Sequence, residues 1–296
     1  MKIGLIDVDG HNFPNLAVMK ISAYHKARGD HVEWWDGLKC YDLVYKSKVF
    51  TDEYSPDECA VIRADKVIRG GTGYDLHNRL PEEIEHIYPD YSIYPKYQEA
   101  YGFLTRGCPR SCPFCIVAQK EGLASRHVAD LSEFWRGQKV IKLLDPNILA
   151  CPDHERLLRQ LADSGAWVDF TQGLDIRLTT PENIKLFSGI KTKMLHFAWD
   201  NPDEDLIDKF KQFNRHSKIM DYRKKSVYVL TNFNSSLNQD LYRIDTLRGL
   251  GFDPYVMIYD KPSAPQEIKD LQRWCNAKWI FQAEPDFKKY RRSVNG

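Results

Sequence analysis

Three cysteines that fall within eight residues are the part of this sequence best suited to chemistry. Cys108, Cys112 and Cys115 have the spacing C-x3-C-x2-C, whereas the other four cysteines of the 296-residue chain are isolated at positions 40, 59, 151 and 275. Three thiolates can ligate three irons of a cubane cluster and leave the fourth iron open to another ligand. Gly107 and two prolines favour the sharp bend that brings the sulfurs together. The spacing therefore predicts an iron–sulfur site with one open position.

This loop resembles the cluster loop of the radical SAM superfamily, in which the same triplet follows the first barrel strand and an aromatic residue precedes the last cysteine. Phe114 occupies that place. The resemblance covers roughly residues 98 to 260. It implies a 4Fe-4S cluster that binds S-adenosyl-L-methionine at its open iron and cleaves it reductively to a 5'-deoxyadenosyl radical. It also implies a one-electron reductant of the flavodoxin or ferredoxin type.

Other interpretations of the triplet stay open. A zinc site needs a fourth ligand, and His127 is the only imidazole near the three cysteines. An iron–sulfur or zinc protein that only binds or senses needs the cysteines but no ring of polar residues around them. The remaining cysteines are isolated, so the sequence predicts no second cluster.

Polar residues follow several predicted strands, where barrels of this kind carry their chemistry. Asp145 follows the second strand, and the resemblance implies that it binds the amino end of the cofactor, although the commoner Gly-Glu form of that motif is not present. Asp175 and Arg177 follow the third strand and either bind cofactor or substrate or form a structural ion pair. The candidates for cofactor binding are Phe114, Asp145, Asn147, Gln172, Asp175, Arg177 and Thr231, and the pairs 199–200, 231–232 and 259–260 complete the ring.

Six β/α units are predicted to position these residues. Apolar runs suited to buried parallel strands alternate with segments of helical period, which fits a closed or partly closed barrel better than an open doubly wound sheet. We therefore expect an α/β fold, with a partial (β/α)6 TIM-like barrel over residues 96–296. The predicted strands are Ala100–Thr105, Lys139–Leu144, Trp167–Phe170, Met194–Ala198, Val227–Thr231 and Tyr255–Tyr259. Gly165 is expected to end the helix that begins at Pro152, and Thr180 to cap the next helix.

Residues 1–95 are predicted to form a separate small Rossmann-like α/β unit. Ile3–Val8 and Val32–Trp35 have the composition of strands, and a helix between them is expected to end at Gly29. A further strand around position 67 runs into glycines 70, 71 and 73, which either cradle a phosphate or form a turn. The Tyr- and Pro-rich run Tyr88–Tyr97 suits an extended connector to the barrel.

The loop after the first strand carries a second resemblance. Asp9, His11 and the residues around them resemble the D-x-H-x-x-G loop by which some cobalamin-binding domains supply a histidine to cobalt, although Pro14 stands where that motif has glycine. The resemblance implies a cobalamin cofactor, as in cobalamin-dependent radical SAM methyltransferases. The alternatives are a strand-to-helix turn with Asn12 near the helix cap, or a degenerate domain that covers the barrel.

Composition limits the partners only loosely. Lys plus Arg (42) nearly balance Asp plus Glu (41), so no global field indicates nucleic acid, and the basic tail Lys288–Arg292 is typical of a solvated terminus. No run approaches the roughly 18 apolar residues of a membrane span, and Asp7 and Asp9 interrupt the apolar start. We expect a cytoplasmic protein without a membrane partner; peptide, RNA and small-molecule substrates all remain open.

Overall fold

The computed structural model describes residues 1–10, 13–57 and 61–291. Its first five elements are four strands and one helix, and the strands form a parallel sheet of order β2-β1-β3-β4. These elements are β1 (Lys2–Asp7), α1 (Leu16–Ala27), β2 (His31–Trp34), β3 (Tyr41–Ser47) and β4 (Ala64–Gly70). The strand β3 was not predicted, because Asp42 and Lys46 interrupt its apolar pattern.

The rest of the described chain alternates strands and helices. After the short helix α2 (Glu82–Glu85), the elements are β5 (Ala100–Gly102), β6 (Thr105–Arg106), α3 (Val117–Glu121), β7 (Arg126–His127), β8 (Val140–Leu143), α4 (His154–Ser164), β9 (Trp167–Leu174), α5 (Pro181–Phe187), β10 (Lys191–Ala198), α6 (Ile207–His216), β11 (Lys225–Thr231), α7 (Leu237–Gly249), β12 (Asp253–Ile258), α8 (Gln266–Asn276) and α9 (Lys278–Ala283). The predicted α/β class with parallel sheets is confirmed.

Six of these strands form one parallel sheet in the order β12-β11-β10-β9-β8-β5. Each strand therefore lies beside its predecessor in the sheet, and right-handed connections then keep the intervening helices on one side. The buried cluster on that side combines strand residues with helix residues: Ile141, Val168, Leu195, Val227 and Val256 with Leu158, Phe187, Phe210, Leu247 and Leu271. Alternate strand residues point to the opposite face, which carries a polar side chain from every strand together with some apolar ones.

Two predicted strands have different ends. The first was predicted to run to Thr105, but it leaves the sheet after Gly102, because the amides of Leu104 and Thr105 donate to the side chain of Asp145 instead of to a neighbouring strand. The third was predicted to end at Phe170, but β9 continues to Leu174 across an irregularity in its pairing with β10.

Gly165 and Thr180 mark helix ends as predicted, whereas the helix expected from Pro152 begins two residues later, at His154. Gly165 adopts the left-handed conformation, with φ of 64°, directly after α4. The Thr180 side chain accepts a hydrogen bond from the Asn183 amide at the start of α5, and the Asn183 side chain accepts one from the Thr180 amide in return. These reciprocal bonds satisfy amides that have no partner within the helix.

The glycines after β4 have a steric reason. A Cβ on Gly71 would lie 2.3 Å from the Lys48 carbonyl oxygen, and one on Gly73 would lie 2.2 Å from the Phe50 carbonyl oxygen. The loops after β3 and β4 therefore approach each other more closely than any other residue type permits. This contact favours the interpretation of the glycines as a turn.

The predicted connector packs against both parts of the chain. Asp90 accepts hydrogen bonds from Ser22 and Lys26 of α1 at 2.6 and 2.7 Å. The hydroxyl of Tyr91 donates to the Phe134 carbonyl oxygen at 2.7 Å and accepts from the Tyr101 amide at 3.1 Å. In the described ranges, no helix has the length and apolar character needed to cross a membrane.

Candidate functional site

The three clustered cysteines lie on the loop between β6 and α3. All three side chains are partly exposed. Gly107, directly before the first of them, has φ of 90°, and a Cβ there would lie 2.2 Å from the Ala124 carbonyl oxygen. The Cys108 amide donates to the Gly122 carbonyl oxygen at 3.1 Å. The segment around residues 122–124 thus passes so close to position 107 that only glycine fits immediately before the cysteines.

The thiols lie within electrostatic range of one another. Burial raises the pKa of Cys112, the Arg110 guanidinium lowers it, and the neighbouring Cys115 and Cys108 thiols raise it further. Burial also raises the pKa of Cys115, with Cys108 again adding to the effect. Within the ranges that the structure describes, no three His, Cys, Asp or Glu side chains form a ready site for a metal ion.

Asn147 follows β8 and points at this loop. Its side chain is 2% exposed, and its Nδ2 lies 3.5 Å from the Cys108 sulfur. Its Oδ1 is buried and has no hydrogen-bond partner among the described residues. Such a buried acceptor is costly unless a ligand satisfies it. Three thiolates on one short loop are the usual ligands of an iron–sulfur cluster. The orphaned oxygen beside them fits a bound cofactor that carries an N–H or O–H donor.

Asp145 holds the start of the same loop. Its carboxylate accepts hydrogen bonds from the Leu104 amide at 3.0 Å, the Thr105 amide at 2.6 Å and the Thr105 hydroxyl at 2.7 Å. Burial is the main influence and raises the pKa of Asp145 to about 6, although these bonds favour the charged form. Both carboxylate oxygens are thus engaged by the chain itself. Whether Asp145 also binds a cofactor stays a prediction.

Asp175 and Arg177 form part of an ion-pair network that reaches the cysteine loop. The Arg177 guanidinium donates to Asp175 at 2.8 Å and, through Nε, to Glu204 at 3.0 Å. Glu204 also accepts from Arg110, which lies between the first two cysteines, at 3.0 Å. Glu204 was not among the candidates, because the loop after β10 carries several acidic residues with no pattern that distinguishes one of them. The network links the loops after β9 and β10 to the cysteine loop.

Phe114 packs over the end of β11. The centroids of the Phe114 and Phe233 rings are 5.4 Å apart, and those of Phe233 and Tyr259, which follows β12, are 4.8 Å apart. The Thr231 side chain is buried, and its hydroxyl donates to the Met257 carbonyl oxygen at 3.3 Å, within the sheet. The cysteine loop therefore contacts residues that follow three of the six strands, β8, β10 and β11, and Phe233 in turn contacts Tyr259 after β12.

The backbone at this edge is strained at three positions. Asn232, Asn234 and Asp260 have φ of 61°, 50° and 47°. Left-handed residues other than glycine cost free energy and cluster at functional sites. Gln172, another candidate, lies within β9 and is exposed.

Two of the remaining predictions concern histidines. His11 and Asn12 lie outside the described residues, so the cobalamin loop stays a prediction; nearby Asp9 accepts hydrogen bonds from the amides of Val49 and Phe50. His127, the possible zinc ligand, lies on β7, and its Nε2 is 3.1 Å from Asp130.

Sequence reasoning missed the polar face of the six-stranded sheet. Each strand carries a polar residue within its length on that face, and this feature was missed because the runs were assigned as fully buried strands. The signal was one polar residue within each apolar run. The residues are Tyr101, Lys142, Asp169, His196, Tyr228 and Tyr255.

No protein-family model matches the chain, and no curated protein shows significant sequence similarity to it.

Proposed function

We propose that this chain is a radical SAM enzyme, with Cys108, Cys112 and Cys115 as ligands of a 4Fe-4S cluster. When bound, that cluster supplies the electron for reductive cleavage of S-adenosyl-L-methionine to a 5'-deoxyadenosyl radical. The observation that carries the proposal is the position of the C-x3-C-x2-C loop, which contacts residues after three parallel strands, β8, β10 and β11, at their C-terminal ends. In α/β folds with consecutive parallel strands, that edge carries the chemistry.

We further infer that the six-stranded sheet is the partial (β/α)6 barrel expected from the sequence. Strictly sequential strand order and helices on one face support this inference, because a doubly wound sheet reverses its strand order and carries helices on both faces. The polar face would then line the interior of the barrel.

The residues around the cysteines would have separate tasks. Asn147 would accept a hydrogen bond through its Oδ1 from the cofactor bound at the cluster, and Phe114 would cover one side of the site through its contact with Phe233. Asp145 and Glu204 would hold the loop in position through their hydrogen bonds. The partner required is a one-electron donor of the flavodoxin or ferredoxin type.

Anaerobic reconstitution with iron and sulfide tests the proposal. Electron paramagnetic resonance of the reduced protein should show a 4Fe-4S signal that changes when S-adenosyl-L-methionine is added, and chromatography should detect 5'-deoxyadenosine. Cys112→Ala should abolish both, whereas Cys40→Ser, an exposed cysteine outside the loop, should leave both intact. A colourless protein that holds zinc, or a cluster indifferent to the cofactor, would instead indicate a binding or sensing protein.

A further inference from the structure

The polar face of the six-stranded sheet contains a carboxylate that lacks partners. Asp169 lies on β9, its side chain is 15% exposed, and its Oδ1 is buried without a hydrogen bond from any described residue. The nearest cationic or imidazole group is the Nδ1 of His196 on β10, at 3.8 Å, which is too long for a hydrogen bond. A buried carboxylate in this state costs free energy that a structural residue has no reason to retain.

His196 adds a second acceptor beside it. Its Nδ1 lies 3.0 Å from the Phe170 carbonyl oxygen, so Nδ1 carries the proton and Nε2 has a free lone pair when the ring is neutral. Burial lowers the pKa of His196, which favours the neutral ring, and burial raises the pKa of Asp169. The charged form of Asp169 and the Nε2 of a neutral His196 are both hydrogen-bond acceptors, and because burial disfavours the charge on Asp169, a cationic donor is the partner that would keep it ionised.

Aromatic rings lie beside these acceptors, and the two lysines whose charges act on Asp169, Lys142 and Lys193, form no hydrogen bond or ion pair with it among the described residues. Tyr228 stacks on His196 at 5.2 Å, and its hydroxyl donates to the Thr171 carbonyl oxygen at 3.2 Å. Lys142 lies on the neighbouring strand, but its ammonium is 3.3 Å from the Tyr101 hydroxyl and 3.9 Å from Glu99. Neither the tyrosine hydroxyl nor the lysine thus satisfies Asp169.

We propose that this face binds an organic cation that carries N–H groups, a primary ammonium or a guanidinium, as the buried end of the substrate. Such a group supplies the donors that Asp169 and His196 lack and the charge that a buried carboxylate requires. The tyrosine rings favour a cation over a neutral group of the same shape. The rest of the substrate would extend toward the cysteine loop. The assignment as a substrate site rests on the proposed function; the binding of the cation does not.

Binding is measured on the full-length chain, both as purified and after cluster reconstitution. Butylammonium and methylguanidinium are titrated, and the ring carbon of His196 is followed by nuclear magnetic resonance after assignment with His196→Gln. Both cations should give a saturable shift, whereas the neutral analogues butanol and methylurea should bind roughly tenfold or more weakly. Tetramethylammonium, which has no N–H group, should also bind more weakly than butylammonium.

Two variants separate binding from folding. Asp169→Asn should weaken binding of both cations roughly tenfold or more and should raise the midpoint of thermal unfolding, since it removes a buried charge whose Oδ1 has no hydrogen-bond partner among the described residues. Asp208→Asn, on α6 with a side chain that is 98% exposed, should change neither quantity. A lower midpoint for Asp169→Asn would reveal a structural partner and overturn the proposal.

The remaining outcomes are equally decisive. Equal affinity for cations and neutral analogues, undiminished binding by tetramethylammonium, or no saturable response to either cation would each overturn the proposal. None of these results depends on iron or S-adenosyl-L-methionine. A failure here would leave the cluster assignment intact, and a failure of the cluster assignment would leave cation binding to be explained by another activity.

Discussion

At the scale of single residues, Asp145 is a positioning group for the cysteine loop. It draws the chain out of the sheet two residues after β5 by accepting the amides of Leu104 and Thr105. Burial opposes its ionisation and raises its pKa to about 6. The residue therefore combines useful hydrogen bonds with an electrostatic cost that depends on pH.

This cost predicts a specific pH dependence. Because the pKa of Asp145 is higher in the folded protein than the ordinary value of 3.8, the folded state binds more protons between about pH 4 and 6, and the free energy of unfolding contributed by this group falls as pH rises through that window. Asp145→Asn should destabilise the protein by about 1 to 3 kcal/mol at pH 4.5, because the NH2 group of the asparagine side chain would face a backbone N–H and leave it without an acceptor. The penalty should shrink by up to about 2 kcal/mol at pH 7.5.

Urea denaturation of wild type and variant at both pH values measures the difference. Asp153→Asn, after the same strand but with a side chain that is 58% exposed, should show no such change. A penalty for Asp145→Asn that is equal at the two pH values would contradict the raised pKa.

At the scale of elements, α7 holds the C-terminal ends of two strands through one buried arginine. The fully buried Arg243 donates to the carbonyl oxygens of Trp199 and Asp200 after β10 and of Leu230 on β11, at 2.7, 2.9 and 2.9 Å. It also donates to the buried Asp240 one turn earlier at 2.5 Å. The helix thus orders backbone at the edge where the cysteine loop lies.

Arg243→Met should destabilise the fold by about 3 to 5 kcal/mol, because it leaves the Asp240 carboxylate buried without its partner. The double variant Arg243→Met with Asp240→Leu should recover part of that loss, since no buried charge then remains unpaired. Arg215→Met, on the exposed surface of α6, is the control for loss of a cation alone. Guanidinium denaturation checks all three, and a double variant no more stable than the single one would refute the pairing.

At the scale of the whole molecule, the connector joins two separate parallel sheets. Its Asp90 bonds to α1, while the next residue, Tyr91, bonds to the backbone of the larger sheet and to Phe134. Two adjacent side chains thus link the two apolar clusters of the protein.

Tyr91→Phe should cost about 1 to 3 kcal/mol, because the Phe134 carbonyl and the Tyr101 amide both lose their hydroxyl partner. The hydrogen-exchange rate of the Tyr101 amide should also increase in this variant, because that amide loses its acceptor. Tyr242→Phe, at a hydroxyl on a side chain that is 56% exposed, should have no effect on either measurement. An unchanged exchange rate of the Tyr101 amide in Tyr91→Phe would contradict the inference that the Tyr91 hydroxyl links the connector to the larger sheet.

The sequence alone determined the features that depend on neighbours along the chain. Apolar runs separated by helical segments predicted the six parallel strands, and the capping chemistry of Gly165 and Thr180 predicted helix ends. The three cysteines were identified in the same way, because their spacing is a local property. Each of these patterns lies within about ten consecutive residues, so it can be recognised without knowing the fold.

Only the tertiary structure decided which groups meet across elements. Glu204, 27 residues beyond Arg177, joins it to Arg110, and the unpartnered oxygens of Asn147 and Asp169 become visible only when every neighbour is known. Local patterns specify whether a side chain lies on a strand or a helix, but not which donor from another strand reaches it. A polar residue in an apolar run therefore looks the same in sequence whether the fold satisfies it or leaves it for a ligand.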